Sequence, residues 1–542
     1  MSDVPSRFLT YAKDLVRRMK RPTARSLWRE YRREPYTHAQ IPNVSFAGYN
    51  RGDDPLPRPS GPVFDVSSFG AEPNDGEDAS HPVNDAIRAA EAAGGGVVHF
   101  PEGRFRFDAP IWVHGSNIVL RGSGSDRTTL YFHQPLEEAY RAARMGEWSW
   151  TGGLIWFIPR ELKAALEESD WQWGANEGWL NDEPFSLIRT FVPRGSFRLP
   201  VAETHRLEAG DHVLLTVNNT IDNSLLAHLC GDLPVTSYDF GEQASSLHRQ
   251  KNYQQYRWPV LIKEVRKHEV LLAQPTKIDL RPEWSPQLAL LGPRVEQSGL
   301  EHLTLQMRQA PQREHNNDRG FNGPHFQAAV NCWAKDVHVV DSENGFGFTS
   351  AKGVTLSDVR VSGQARHHSF ICREQTHDCL VQRFLVPPAT TQLANGAKTH
   401  GINVEGYSSG NVWSDGVMEG TFDSHRRIPF ENVRTQITLT NKGVLGGARR
   451  AGPHWGARFA HWNISVSNKR AYAVRLENHA PYSVIVGISG TDNIHPKPPE
   501  FAGPIHTVAT DLNSAVRPSN LYEAQLTHRH RTQTAFRIED AP

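Results

Sequence analysis

Between residues 300 and 490 the hydrophobic positions come in short alternating bursts separated by small or polar corners: LEHLTL (300–305), WAKDVHVVDS, AKGVTLSDVRVS, HDCLVQRFLV, SGNVWSDGVM, RTQITLTN, AHWNISVSN and APYSVIVGIS. Alternation with period two predicts strands rather than helices. Val337 and Val359 lie 22 residues apart, and Val412 and Ile437 lie 25 apart. A repeat in the low twenties predicts a solenoid in which each repeat is one coil. NIVLRGSGSDRTTLYF (117–132) has the same rhythm and reads as a first coil. From 134 to 296 the rhythm is lost. Residues 136–182 are Trp-rich and read as helical, while HRLEAGDHVLLTV and WPVLIKEVRKHEVLLAQP read as strands of a small β module.

Ahead of the first coil, FDVSSFGAEPNDGEDASHPVNDAIRAAEAAGGGVVHFPEGRFRF (64–107) reads as strand, Asp-Gly turn, short helix, Gly-rich stop and two strands broken at Pro101. This stretch resembles the N-terminal signature of the pectate-lyase-like superfamily. Phe69-Gly70-Ala71, Asp75-Gly76, a helix over 86–93, Gly94-Gly95-Gly96 and Phe100-Pro101 follow its order. The resemblance implies an all-β right-handed parallel β-helix whose open end is blocked by a capping helix, interrupted here by a mixed α/β insertion. It carries no particular chemistry, because the superfamily holds lyases, hydrolases, epimerases and phage depolymerases. The chain then divides into a helical and linker segment (1–60), a cap with first coils (61–133), the insertion (134–296), the main coils (297–515) and a polar, basic tail or edge strand (516–542). An amphipathic helix is expected within 8–19.

Lys+Arg and Asp+Glu both count 59, so no global field favours nucleic acid or an anionic membrane. Four cysteines in 542 residues, none in a CxxC pair, are too few for a disulfide framework. No apolar run reaches membrane-spanning length and the start lacks a secretory h-region, so a cytoplasmic location is expected. The sequence is silent on oligomeric state.

Charge therefore matters locally. Aligning the coils on their second apolar segment brings His325, Asn344, His368, His400, His425 or Arg426, and His454 into one column, at about 4.8 Å per coil. Lys398, Arg366, Arg373, Arg426 and Arg427 flank it. Cations stacked this closely repel one another, and an anionic ligand relieves that cost. Elimination beside a uronic acid needs a cation for the carboxylate, a base for the C5 proton and an acid for the leaving oxygen. The expected catalytic set is His400 and His425 as base and acid, Asp423 orienting, and Arg426, Arg427 and Lys398 as neutralisers. His368, Arg373, Glu405, His454, Arg458 and His325 are the expected substrate-binding set. TFDSHRR (421–427) also looks like the FDPH segment of β-helix mannuronan C5-epimerases, with Phe422, Asp423 and His425 carried over and Ser424 in place of proline.

The expected partner is thus an acidic polysaccharide or oligosaccharide, and the expected activity a polysaccharide lyase. A hydrolase using a carboxylate pair drawn from Glu405, Asp415 and Asp423, a C5-epimerase and a non-catalytic carbohydrate-binding solenoid are the alternatives. No cofactor and no metal ligand is assigned; calcium, with Asp341 and Glu343, is the competitor to arginine neutralisation.

Overall fold

The computed structural model describes residues 22–59, 61–140, 147–171, 178–240, 255–314, 316–391, 399–425, 427–440, 453–467, 480–491 and 500–539. The alternating bursts become parallel strands, each paired with the next coil. One long sheet of 14 strands runs from Val63–Asp65 through Gly299–Met307, Trp333–Val340 and Thr355–Ser362 to Val508–Thr510. A second, seven-stranded sheet joins Ile111–Val113, Ile155–Phe157, Pro324–Gln327, Asn344–Thr349, His368–Arg373, Gly401–Val404 and Thr421–Ser424. Single bridges linking Val330, Lys352, His377, Ser409 and Phe430 mark a further corner of each coil. This is a parallel β-helix, and the handedness rule for parallel crossovers makes it right-handed.

Val337 pairs with Val359 as the 22-residue spacing predicts. Ile437, however, pairs with Gly416, and Val412 with Val433, so that coil has 21 residues rather than 25. The registers also explain how the long sheet wraps. His302, Asp336, Asp358, Arg383, Asp415, Gln436 and Asn463 stand at the same point of successive strands, each with φ between 48° and 58°. A left-handed residue in mid-strand turns the chain, and one per coil folds the sheet along a line. Inside, Phe346, Phe348, Phe370, Ile402, Val404 and Phe422 stack between the faces as a continuous core.

The capping helix spans Ser80–Ala92, longer than expected, and buries Val83, Ala86, Ile87 and Ala90 over the first strands. It covers edges that would otherwise be free to pair. The insertion departs from the expected boundaries because Ile155–Phe157 returns to the seven-stranded sheet. Gly299–Met307 then pairs with both Ile118–Gly122 and Thr128–Phe132, resuming the solenoid where it broke off. Between them, a six-stranded antiparallel sheet forms the β module around Trp258 and Trp284. Lys277 of this module meets Asp378 of the solenoid at 2.7 Å, with Lys352 on the other carboxylate oxygen. Arg194 and Arg458 likewise share Glu431, at 3.1 and 2.6 Å.

The expected helix over 8–19 lies outside the described residues. The described N-terminal helix is Ala24–Arg33, opened by a capping box of Thr23 and Ser26. The C-terminal segment is neither tail nor edge strand: Leu521–Glu539 is a helix laid on the long sheet, with Leu521 N donating to Thr435 Oγ1 at 2.9 Å. No described helix is long and apolar enough to cross a membrane.

Candidate functional site

On the seven-stranded sheet, side chains alternate between the core and the outer face. The register places Trp156, His325, Gly347, Ile371, Asn403 and Asp423 in one outward row. Thr349, Arg373, Glu405 and His425 follow in the next. Gly401 (φ +81°), the first residue of its strand, breaks the alternation, and His400 just before it turns its ring toward the same face.

Two histidine–carboxylate pairs result. His400 Nδ1 lies 2.9 Å from Asp423 Oδ2, and His425 Nδ1 lies 3.5 Å from Glu405 Oε2. Glu405 also accepts from Arg373 Nε at 2.6 Å. A carboxylate beside Nδ1 orients the ring and sets its tautomer. His368 stands 5.1 Å from His400, centroid to centroid, and His367 stacks on His368 at 4.3 Å. Asp423 and Glu405 are fully buried, whereas the His425 side chain is 16 % exposed and reaches the surface. The Trp150 ring, from the insertion, covers the group at 4.6 Å from His425 and 4.8 Å from His367. Its carbonyl accepts from Arg373 Nη1 at 2.6 Å, which ties the cover to the sheet.

Asn403, between Ile371 and Asp423 on the row, is fully buried, and neither atom of its amide has a hydrogen-bond partner among the described residues. Beneath the row, Arg434 lies inside the solenoid with its guanidinium 5.1–5.4 Å from the ring centroids of Trp413, Phe422, Trp455 and Phe459. Burial pulls it down to about 9, with Asp423 opposing. It is the positive charge behind Asp423.

The other expected residues fall as follows. Arg427 is buried and pairs with Glu374 at 3.4 Å, beside Arg373. Lys398 and Arg426 lie outside the described residues. His454 sits one coil further on, 2.7 Å from Glu500. Arg458 belongs to the Glu431 pair that ties down the β module. His325 falls outside the expected column: it pairs with Gly347 rather than Asn344 and shares its row with Asp423, about 19 Å away at four strand spacings. There it lies against Trp156 and bonds Thr349 Oγ1 at 3.0 Å; burial and Arg373 pull it down to about 3. Asp415 stands on the other sheet as one of the left-handed turn residues, so of the carboxylate pair drawn from Glu405, Asp415 and Asp423 only Glu405 and Asp423 share the site's face.

Asp341 and Glu343 accept backbone N–H groups instead of facing one another as a calcium cage: Asp341 from Gln364, Glu343 from Gly320 and Phe321. Among the described residues two groups of three donors come within 4.8 Å: His368, His400 and Asp423, and His228, Asp232 and Asp279. The nitrogen-rich first set suits a zinc-type ion better than calcium. In the second, Arg281 already bridges both carboxylates. Sequence reasoning missed His367, Asp318, Trp150 and Asn403. His367 Nδ1 lies 3.3 Å from Asp318 Oδ2. The HH doublet was the available signal for His367; Trp150 and Asp318 arrive from distant segments.

A family profile described as rhamnogalacturonase A/epimerase, pectate lyase-like, matches residues 63–142, the cap and first coils. Over that stretch the chain is similar to this family, and the solenoid that follows it is a parallel β-helix. No curated protein sequence matches the chain. Similar solved structures include the tailspike protein gp49 of Pseudomonas phage LKA1, at 14% identity over 83% of this chain and 77% of that one (TM-score 0.38). The A-module of the Azotobacter vinelandii mannuronan C-5 epimerase AlgE6 aligns at 13% identity over 83% of this chain and 99% of its own (TM-score 0.31). The Streptococcus pneumoniae surface adhesin PfbA aligns at 11% over 85% and 82% (TM-score 0.39). An enzyme, a tailspike and an adhesin at this distance leave function to be argued from the site.

Proposed function

We propose that the chain is a carbohydrate-active enzyme that cleaves an acidic poly- or oligosaccharide by β-elimination beside a uronic acid. The observation that carries this reading is the adjacency of His400–Asp423 and His425–Glu405 under Trp150. One imidazole takes the C5 proton; the electron pair forms the C4–C5 double bond, the C4–oxygen bond breaks, and the other imidazole protonates the leaving oxygen. The uronate carboxylate falls to Arg426 and Lys398, as expected from the sequence, since Arg427 is buried against Glu374. Asn403 supplies a buried amide that a sugar hydroxyl satisfies.

Elimination is favoured over hydrolysis by one feature. Glu405 accepts from Arg373 while facing His425, a position that suits an orienting carboxylate and not an acid that must give up a proton. C5-epimerisation uses the same first step, differing only in reprotonation of C5. The test is the near-ultraviolet absorbance of the unsaturated uronate during incubation with acidic glycans, beside a reducing-end assay and a His425→Ala control. A rise abolished by the substitution supports the lyase. New reducing ends without that band would overturn it in favour of hydrolysis, and inverted C5 without cleavage in favour of epimerisation.

A further inference from the structure

The helices Ala24–Arg33 and Leu521–Glu539 lie side by side on the long sheet, on a different face of the solenoid from the candidate site. Between them and the loop 511–520 runs a groove of about 1100 Å³. Arg25, Arg29 and Arg32 stand at i, i+4 and i+7, one face of their helix, while Ala24, Leu27 and Tyr31 bury the other. Arg517 and Arg531 line the groove from the other wall. All five arginines are exposed, and among the described residues none of them makes an ion pair. Of the two carboxylates in the groove, Asp511 is engaged by the Ala24 backbone N–H at the helix start, leaving Glu523 alone.

The chain as a whole carries no net charge, so five guanidinium groups against the two carboxylates Asp511 and Glu523 are a local excess of positive charge. Its field is felt inside the groove: burial together with Arg32 and Arg531 pulls His528 down. Trp28, half-buried, is stacked on Tyr31 at 5.2 Å and meets the His528 ring edge-on at 6.3 Å. An indole in the wall offers an apolar face against which a sugar ring can lie. Arginine forks pair with carboxylate or sulfate in two-point fashion. Glu523, Thr527 and Ser519 add acceptors for hydroxyl groups.

We propose that this groove is a second binding site, for a linear anionic glycan whose acidic groups meet Arg25, Arg29 and Arg32 and whose ring lies on Trp28. The concave shape argues against a flat anionic membrane, and the hydroxyl acceptors beside the arginines argue against a nucleic-acid backbone. The proposal is compatible with the reading of the candidate site but does not require it, because the groove shares no residue with that site.

The test is isothermal titration of the full chain, and of a full-length Arg25→Gln/Arg29→Gln/Arg32→Gln variant, with polygalacturonate oligomers and with heparin oligomers, both also run on His425→Ala. The first glycan offers carboxylate and the second adds sulfate, so the pair identifies which acid the groove takes. The expected result is at least tenfold weaker binding in the triple variant, whether or not His425 is also replaced, with affinity falling as salt is raised. Circular dichroism establishes that the variant is folded, and Trp28→Ala is the independent second variant, expected to weaken binding without altering charge. Equal binding by the triple variant, or tighter binding of single-stranded DNA or phosphatidylserine vesicles than of either glycan, overturns the proposal. Loss of elimination activity in His425→Ala with groove binding intact separates the two sites.

Discussion

Asp378 is where the insertion is fastened to the solenoid, and Asp378→Ala is the substitution with the clearest expected cost. Its side chain is 1 % exposed and holds Lys277 at 2.7 Å, Lys352, and Gln274 Nε2 at 3.0 Å. Burial alone would raise this carboxyl group, but the two ammonium groups outweigh it and hold it well below the usual carboxylate range. Removing it leaves two buried ammonium groups facing each other. Breaking a buried pair in this way costs about 3–5 kcal/mol. The lysines can escape by losing protons, which at pH 7 costs about 4–5 kcal/mol for one of ordinary pKa, so the two routes agree on about 4 kcal/mol. The pH dependence gives the sign. In the variant Lys352, which burial already pulls down to about 8, releases its proton before its unfolded counterpart, so the unfolded state binds more protons and stability rises with pH. The deficit should shrink between pH 7 and 10. In the parent, the depressed carboxyl contributes stability above about pH 4 that is lost as pH falls through its lower folded value. Urea unfolding followed by circular dichroism and tryptophan fluorescence reads both, with Trp258 stacked 4.9 Å from the Lys352 ammonium as a local reporter. The variant Lys277→Met/Lys352→Met/Asp378→Leu, which removes every charge, should recover most of the loss. A deficit under about 1 kcal/mol at pH 7, or one that does not change with pH, would refute the reasoning.

Gly347→Ala would place a methyl 2.3 Å from His325 Nδ1, beside a ring pinned by Trp156, and should cost about 1–3 kcal/mol in thermal or urea unfolding. Arg434→Met keeps the volume inside the ring of aromatics and removes a buried charge, so stability should change by less than about 2 kcal/mol, while turnover at Asp423 falls because its positive neighbour is gone. Turnover and stability falling together would mean a structural role only. Trp150→Ala should raise KM for acidic oligosaccharides more than it lowers kcat, since the ring covers the histidines without holding a proton; steady-state kinetics separate the two. Asn403→Ala should weaken substrate binding with little effect on unfolding, because the amide has no partner among the described residues to lose. Equal binding by this variant would remove Asn403 from the site.

The capping signature was legible because each part answers a local need: Gly94 at φ +81° and Gly95 at φ +132° end the helix where few other residues fit. The column was legible only in part: of the expected residues only Asn344, His368 and His400 share a register, with the two imidazoles tilted 5.1 Å apart, while His325 and His425 fall in other rows. The mid-strand bends were not. Aspartate and asparagine favour the left-handed region, but Arg383 and Gln436 occupy the same position with no such preference, and only their neighbours on adjacent coils hold them there. The C-terminal helix was missed because its buried stripe includes Gln525 and Arg529, whose polar character breaks the apolar periodicity. Arg529 is held by Asp53, more than four hundred residues earlier.

The sequence by itself determined the architecture: period-two alternation repeated every two dozen residues leaves each coil no partner for its backbone except the next coil, and a parallel solenoid is the result. Which charged groups meet was decided only by the tertiary structure. Arg373 reaches Glu405 and Glu405 reaches His425 because variable corners still bring these residues into one row, and Trp150 covers them because the insertion folds back from a different part of the chain. Strand pairing fixes the row to within one residue, but corner length decides which residue occupies it, and corner length leaves no periodic trace in the sequence.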